Sequence, residues 1–295
     1  MITMKLKISL IAFSLAITLL AGVTWANNLP DLGDVSQTVL TPLQEQAIAE
    51  QILRDVAVSD DVVQDIEVTA YLQALGMRLV SSSPDNQLKF NFFVVQDNSI
   101  NAFAMPGGVV GVHTGLILAS NSESELASVL GHEIGHVTQH HLARMLAAQK
   151  GDTFKNIAGM ALAILVARAN PQLAGGAMTT ASAIGVQSQL DYTREHEREA
   201  DRIGLQILDS GGFDVRAMPI FFNTLQRGSR FAEGGAPSFL RTHPLTSERI
   251  ADVDNRVALM PYRQVPNSLD FQLVRAKLLA NKEVPETMIA VFEQN

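Results

Sequence analysis

The sequence predicts an α+β fold that is mostly helical and carries one small β-sheet. Apolar residues recur at helical spacing over residues 42–81, and again through most of the chain after Thr114. Between these regions, residues 88–113 are rich in β-branched and aromatic side chains and are broken by a Pro-Gly-Gly turn at residues 106–108. We therefore expect a short antiparallel or mixed sheet between the helices.

Two helices precede the predicted sheet. The first is expected from Pro42 to Val56, because Thr41 is a good N-cap and proline is favoured at the first helical position. The second is expected from about Asp61 to Ser81, where apolar residues form a buried helical stripe.

Three short extended segments are expected next. They cover residues 88–95, 102–105 and 109–113. The Pro-Gly-Gly break lies between the last two segments, which predicts that they pair as a hairpin.

The rest of the chain is predicted to be helical. A long helix begins at Ser122 or Ser124, which can cap it ahead of acidic residues, and continues to about Gln149. Residues 157–186 are apolar, and we favour a buried helical hairpin over a membrane-touching element because runs of this length are usually core helices. Further helices are expected over residues 191–210, 216–225, 244–260 and 269–281, and residues 228–237 form a flexible loop that could act as a lid.

Composition excludes several classes of function. The chain has 295 residues, a net charge of −8 and no cysteine. Disulfides, thiol catalysis and cysteine-ligated metals are therefore ruled out. Nucleic acid is not an expected partner, because phosphate binding needs clustered lysine and arginine and no such cluster occurs.

The first residues have the pattern of a secretory signal. Lys5 and Lys7 form a short positive region, residues 8–20 are apolar, and small residues precede Ala26. We expect residues 1–26 to be a signal peptide cleaved after Ala26. An uncleaved membrane anchor is the alternative, because the apolar run is borderline in length for a span.

One motif carries metal chemistry. His132-Glu133-x-x-His136 lies on a predicted helix, where histidines four residues apart share a face and can bind one metal ion. Glu133 lies beside the open coordination position and can act as general base toward an attacking water. The alternative is a buried helix whose histidines make ordinary hydrogen bonds, and a third ligand would decide between the two.

Two sources of a third ligand can be compared. His140 lies eight residues after His132, a rise of about 12 Å on an unbroken helix, so we expect His140 and His141 to be exterior or to support the ligands from behind. Glu197 and Asp201 are four residues apart, so one could bind the metal while the other holds a ligand imidazole. The alternative is a solvated helix face with ion pairs.

The spacing of these residues resembles the M48 family of zinc metallopeptidases. His132-Glu133-x-x-His136 is followed about sixty residues later by Glu197-x-x-Ala200-Asp201. Further stretches that resemble the family are residues 101–104 with Gly107-Gly108, residues 125–144, and Thr242-His243-Pro244-Leu245 with Arg249. The resemblance covers nearly all of the chain after residue 26, and it implies a zincin-type metallopeptidase domain with the small sheet beside the active-site helix.

The resemblance implies roles for individual residues. It implies one Zn²⁺ per chain held by His132, His136 and Glu197, with Glu133 as catalytic base and Asp201 behind a ligand. It implies that the edge strand Asn101, Ala102, Phe103 and Ala104 pairs with an extended substrate.

Three further histidines and one arginine are also considered for roles at the site. His243 could stabilise the oxyanion, could take the fourth zinc position and give a latent enzyme, or could be an ordinary loop residue. Arg249 is a candidate for oxyanion stabilisation or positioning. His113 and His196 are expected to be structural or exposed.

The resemblance also implies a biological setting. We expect an endopeptidase of the bacterial periplasm that cleaves misfolded or stalled envelope and outer-membrane proteins, with residues 27–265 as the peptidase domain and 266–295 as a helical tail. The outer-membrane assembly machinery is a candidate partner, although the sequence contains no tetratricopeptide array of the kind that family members working there carry. A zinc-containing chaperone or adaptor with little proteolysis is the alternative. With either function, residues 157–186 could make peripheral contact with a membrane.

Overall fold

A computed structural model describes residues 40–85, 88–148, 180–231 and 237–282, all within one compact unit. The predicted signal segment, residues 157–179 of the apolar stretch, residues 232–236 of the predicted loop and residues 283–295 lie outside the described part.

The described residues form ten helices and three strands. Before and within the sheet these are α1 Pro42–Val58, α2 Ile66–Ser81, β1 Asn91–Val95, β2 Ala102–Met105 and β3 Val109–His113. After the sheet they are α3 Thr114–Ala119, α4 Glu123–Thr138, α5 His141–Ala148, α6 Thr180–Ser210, α7 Ala217–Phe231, α8 Ser238–Thr242, α9 Ser247–Ala258 and α10 Leu269–Lys282. The predicted α+β class, mostly helical with a small sheet, is confirmed.

The start of α1 is as predicted, and the start of α2 is not. Thr41 caps α1 in a capping box with Gln44, and Pro42 occupies the first turn. The second helix begins at Ile66 rather than near Asp61, because Asp65 is the N-cap and accepts hydrogen bonds from two backbone amides of the first turn. The residues ahead of that cap pair with the sheet instead, through an isolated bridge between Val62 and Val95.

The sheet is mixed and its strand order is β1-β3-β2. The predicted β2–β3 hairpin is confirmed, with Phe103 opposite Gly111, while β1 lies parallel to β3 on the other side. Gly107 and Gly108 both have positive φ in the connecting turn. A Cβ on Gly107 would lie 2.6 Å from the Glu45 carbonyl oxygen, so this turn requires glycine. The arrangement leaves β2 at an edge of the sheet.

The long helix predicted to run to Gln149 is broken, and that prediction is wrong. Helix α4 ends at Thr138, His140 adopts a left-handed conformation with φ of 51°, and α5 begins at His141. The Thr138 hydroxyl donates back to the Ile134 carbonyl, which satisfies that oxygen in the last turn. Gln139 and His140 thus separate the two helices, and the chain changes direction between them.

Several other boundaries differ from the predictions. Helix α6 begins at Thr180 rather than at residue 191, and α7 extends to Phe231, so residues 228–231 are helical rather than part of a loop. The helix predicted over residues 244–260 is the shorter α9, preceded by a separate turn of helix, α8. Helix α10 covers the predicted residues 269–281. No helix in the described ranges is long and apolar enough to cross a membrane.

Helices α4 and α6 pack closely because small residues line their contact. A Cβ on Gly135 would lie 3.1 Å from the Ala200 carbonyl oxygen, and one on Gly204 would lie 3.0 Å from the His132 amide nitrogen. A larger residue at either glycine would therefore push the helices apart. This close approach brings the motif on α4 next to the acidic residues on α6.

Candidate metal centre

Helix α4 directs two imidazoles at one point. The Nε2 atoms of His132 and His136 lie 3.0 Å apart, as expected for residues separated by one helical turn. Both residues are at most slightly exposed, and the helix around them is buried on nearly every side. Two imidazole nitrogens that face each other in a buried site need a proton or a cation between them.

Helix α6 adds a carboxylate to the same point. Glu197 Oε1 lies 3.2 Å from His136 Nε2, and Glu197 Oε2 lies 3.4 Å from His132 Nε2. Glu197 is 1 % exposed. The alternative of a solvated, ion-paired face therefore does not describe this residue.

His243 completes the group from the end of α8. Its Nδ1 lies 2.9 Å from Glu197 Oε1 and 3.4 Å from His132 Nε2. The ring stacks on Phe239 at 4.5 Å between centroids, and its backbone amide donates to the Phe239 carbonyl. His243 is thus held against the other donors by the short helix that precedes it.

The spacing of the four donors fits a bound metal. Atoms from His132, His136, Glu197 and His243 lie within 4.8 Å of one another. Ligand atoms at about 2.0–2.1 Å from one tetrahedral ion would be about 3.4 Å apart, close to the separations found here. Among the described residues, this is the one group with the spacing and chemistry of a metal site.

Glu133 lies at the site without a hydrogen-bond partner of its own. It is fully buried, and neither carboxylate oxygen has a hydrogen-bond partner among the described residues. The Nε2 atom of His243 lies 3.4 Å from Glu133 Oε1. A buried carboxylate left in this state requires a water, a substrate group or a cation nearby.

Two buried residues stand behind the donors. Asp201 Oδ1 lies 2.9 Å from His132 Nδ1, which keeps the Nε2 lone pair directed at the site. Arg249 contacts both Asp201 oxygens at 2.8 Å and Glu197 Oε2 at 2.7 Å, and it also donates to the Pro244 carbonyl. Three of these four contacts are to carboxylate oxygens and the fourth is to the Pro244 carbonyl, so the geometry favours a positioning role for Arg249 over an oxyanion contact.

The electrostatics favour a positive charge at the site. For Glu197, burial opposes ionisation, but the neighbouring His243 and Arg249 outweigh it and hold the pKa well below its usual value. Burial also opposes ionisation of Asp201, yet Arg249 and the His132 hydrogen bond lower its pKa. Burial opposes the charged form of His132 as well, but Asp201 and Glu197 raise its pKa to about 10. Two ionised carboxylates thus face one permanent cation, and a proton or a metal cation supplies the missing charge.

Two further histidines lie beside the donors: His141, which the sequence predicts to be exterior or to support the ligands from behind, and His196, which it predicts to be structural or exposed. His141 Nδ1 is 2.9 Å from His136 Nδ1, and its ring stacks on His196 with centroids 4.2 Å apart. Both rings are buried. Sequence spacing could not decide between the exterior position and the supporting position for His141, because the predicted unbroken helix would have turned it away from His136.

The predicted substrate strand lies beside the active-site helix. Asn101, Ala102 and Phe103 are buried and Ala104 is half-buried. Asn101 Nδ2 lies 3.4 Å from Nε2 of the buried His113, and the carbonyl of the preceding Ile100 accepts from the Phe239 amide. The strand edge is therefore tied to the segment that carries His243.

Comparison with known proteins gives one family and two kinds of relative. Residues 67–257 match peptidase family M48. The beta-barrel assembly-enhancing protease of Escherichia coli (strain K12) is 40% identical over 254 residues, which is 86% of this chain and 52% of that protein. The protein of the same name from Yersinia pestis is 37% identical over 251 residues, 85% of this chain and 51% of its own length. The mitochondrial metalloendopeptidase OMA1 of Arabidopsis thaliana is 33% identical over 183 residues, 60% of this chain and 34% of its own length. The chain spans about half the length of the two bacterial relatives.

Proposed function

Because the chain belongs to peptidase family M48, we propose that it is a zinc-dependent endopeptidase whose single ion is held by His132, His136 and Glu197. The observation that carries the proposal is the buried donor group with the unpartnered Glu133 carboxylate beside it. Zinc suits two imidazoles and a carboxylate, and three protein ligands leave one coordination position for catalysis.

The residues around the ion have separate tasks. A bound zinc ion would lower the pKa of a coordinated water and polarise a peptide carbonyl. Glu133 takes the proton of the attacking water on a carboxylate oxygen and delivers it to the leaving nitrogen. Asp201 Oδ1 lies 2.9 Å from His132 Nδ1 and so favours the tautomer whose Nε2 lone pair faces the ion. Arg249 keeps the two buried carboxylates of α6 ionised and oriented.

The edge strand β2 supplies the means of holding a substrate. Residues 101–104 lie at the edge of the sheet and beside α4. An extended polypeptide that adds to this edge would be held by backbone hydrogen bonds, a mode that tolerates many side chains. Such tolerance suits an enzyme that acts on unfolded protein.

The setting follows from the names of the bacterial relatives and from the N-terminal sequence. The two bacterial proteins are called beta-barrel assembly-enhancing proteases. We extend this to a periplasmic enzyme exported by residues 1–26, which cleaves misfolded or stalled envelope and outer-membrane proteins. The outer-membrane assembly machinery is the proposed partner.

His243 favours a second candidate that the same experiment tests. Its Nδ1 lies within the donor group, where it can occupy the fourth position at the ion. A site closed in this way is either latent until His243 moves or is a structural zinc site in a chaperone or adaptor. Phe239 holds His243 in place, so a substrate that displaces this segment would open the site.

The deciding experiment compares cleavage of casein by wild type, Glu133→Gln and His243→Ala, with the zinc content of each. Glu125→Gln is the matched control, because Glu125 is a buried carboxylate on the same helix but lies away from the donors. We expect wild type and the control to cleave, Glu133→Gln to bind about one zinc ion and lose cleavage, and His243→Ala to cleave faster if His243 keeps the site latent.

Each outcome has a defined meaning. Cleavage by Glu133→Gln at the wild-type rate would refute the role of Glu133 as base. Full zinc occupancy without cleavage in wild type and His243→Ala would favour the chaperone or adaptor. Absence of bound zinc in the wild-type protein would refute both candidates.

A further inference from the structure

A chain of polar contacts leads from the surface of the protein to the back of His136. His136 Nδ1 lies 2.9 Å from His141 Nδ1, and His141 Nε2 lies 3.2 Å from Glu199 Oε2. Arg144 Nη1 donates to the same Glu199 oxygen at 2.8 Å. The Glu199 side chain is 28% exposed, whereas His141 is buried.

Proton positions along this chain follow from the role of His136. If His136 binds the ion through Nε2, its Nδ1 carries the proton and must donate. The neighbouring atom, His141 Nδ1, must then be an acceptor, so the His141 proton is on Nε2. That N–H faces Glu199, which is an acceptor when ionised. Every contact in the chain thus has one donor and one acceptor.

We propose that His141 and Glu199 are positioning residues for the metal ligand His136. Glu199 fixes the tautomer of His141, and His141 accepts from His136 and directs its Nε2 lone pair at the ion. Asp201 orients His132 through one direct contact. For His136, the carboxylate of Glu199 acts through a second imidazole, that of His141. The proposal rests on the zinc-binding function proposed above, and it adds two residues that this function does not require.

The backbone break after α4 makes the contact geometrically feasible. On an unbroken helix, residues five apart point about 140° away from each other and could not place their rings in contact. The left-handed conformation at His140 ends α4 and turns His141 back onto His136. A non-glycine residue seldom adopts this conformation, and such residues concentrate at functional sites.

The surroundings of His141 hold its ring in place. The side chain is buried, and its two nitrogen atoms face His136 and Glu199. The His196 ring covers one face of His141 with an interplanar angle of 6°. His196 thus contacts His141 through its ring face, while the nitrogen atoms of His141 contact His136 and Glu199.

The test measures zinc affinity by competition with a chelating dye in five variants. His141→Phe keeps the stacking ring and removes the acceptor, and His141→Gln restores an acceptor oxygen. Glu199→Gln removes the charge at the outer end, with the exposed Glu195→Gln on the same helix as its control. His196→Phe keeps the stack and is the packing control.

We expect His141→Phe to weaken zinc binding about 10- to 100-fold, the usual effect of losing a partner behind a ligand. His141→Gln should recover part of this loss, and Glu199→Gln should also weaken zinc binding. The zinc affinities of the two controls, Glu195→Gln and His196→Phe, should stay within about twofold of wild type, because both leave the chain of contacts intact. In proton NMR of the zinc-loaded protein, the His136 Nδ1–H signal should exchange faster with solvent in His141→Phe.

Several results would overturn the proposal while leaving the proposed function intact. Zinc affinity within twofold of wild type in His141→Phe is one, and an equal loss in His196→Phe is another, since it would mean that packing alone is responsible. If His141→Phe does not fold, unchanged affinity in both His141→Gln and Glu199→Gln would refute the chain of contacts. A wild-type protein that binds no zinc would instead refute the proposed function together with this inference.

Discussion

Replacing Arg249 by methionine should remove much of the stability of the protein. Arg249 is 1 % exposed and forms ion pairs with Asp201 and Glu197 at 2.7–2.8 Å. Breaking a buried ion pair by deleting one partner costs about 3–5 kcal/mol, because the other charge is left uncompensated. The Pro244 carbonyl also loses its donor, which adds about 1 kcal/mol. A loss of about 4–6 kcal/mol is comparable with the whole stability of many domains.

Urea unfolding of the metal-free and zinc-loaded proteins is the assay. We expect a smaller loss in the zinc-loaded protein, because the ion compensates Glu197 in place of the guanidinium. Arg256→Met is the matched control, since Arg256 lies on the same helix and pairs with Asp252 at the surface, where such a pair contributes about 0.5 kcal/mol. If Arg249→Met does not fold, Arg249→Lys, which keeps the charge and loses the forked contact, should cost about 1–3 kcal/mol.

The reasoning also predicts coupling between the partners. Adding Asp201→Asn to Arg249→Met should cost less than the sum of the two changes, with a coupling energy of about 1–3 kcal/mol. A loss below about 1 kcal/mol in metal-free Arg249→Met would show that the α6 carboxylates do not depend on this cation, and would refute the reasoning.

Three further predictions concern backbone strain, pH and metal. His140→Gly should raise the unfolding free energy by about 0.5–1 kcal/mol, because His140 has φ of 51°. The control Gln139→Gly should lower the unfolding free energy by a similar amount. Equal changes in unfolding free energy for the two variants, measured in urea, would contradict this prediction. Partial burial opposes ionisation of Asp97, but hydrogen bonds from Ser99 and the charge of His113 lower its pKa. Its stabilising effect is therefore complete above the unfolded pKa of about 3.9 and is lost as pH falls through the lower folded value. Asp97→Asn should therefore lower the thermal midpoint at pH 7 and remove this acid dependence, and an unchanged acid dependence of the midpoint would contradict the assignment to Asp97. Chelation should lower the thermal midpoint, and restoring free zinc to about 100 times its Kd should return about 2.7 kcal/mol; a midpoint insensitive to chelation would argue against a specific site.

Local signals predicted much of the fold. Thr41 and Pro42 located the start of α1, and the Pro-Gly-Gly turn located the β2–β3 hairpin, because capping and turn chemistry depend on neighbours in sequence. The boundaries that failed depend on distant contacts. The residues before Asp65 pair with β1 rather than extend α2, and nothing in their own spacing indicates that pairing.

The candidate site was predictable to a similar degree. The His-Glu-x-x-His motif places His132, Glu133 and His136 on one helix, and the spacing of Glu197 and Asp201 made both of them candidates for the third ligand. The family resemblance assigned the roles of these two residues and added His243. Spacing could not tell which of the two acidic residues faces the other donors. In the structure Glu197 lies among them, and Asp201 lies behind His132.

The sequence by itself determined the helical motif, the turn chemistry and the absence of cysteine ligands, because each depends on residue type and on separations of a few residues. Only the tertiary structure decided how α4 meets α6, which follows from the close contact of Gly135 with Ala200. It also decided that the chain breaks at His140 and turns the His141 ring onto His136. These features depend on the packing of residues that are distant in sequence and on one strained backbone conformation, and helical periodicity contains information on neither.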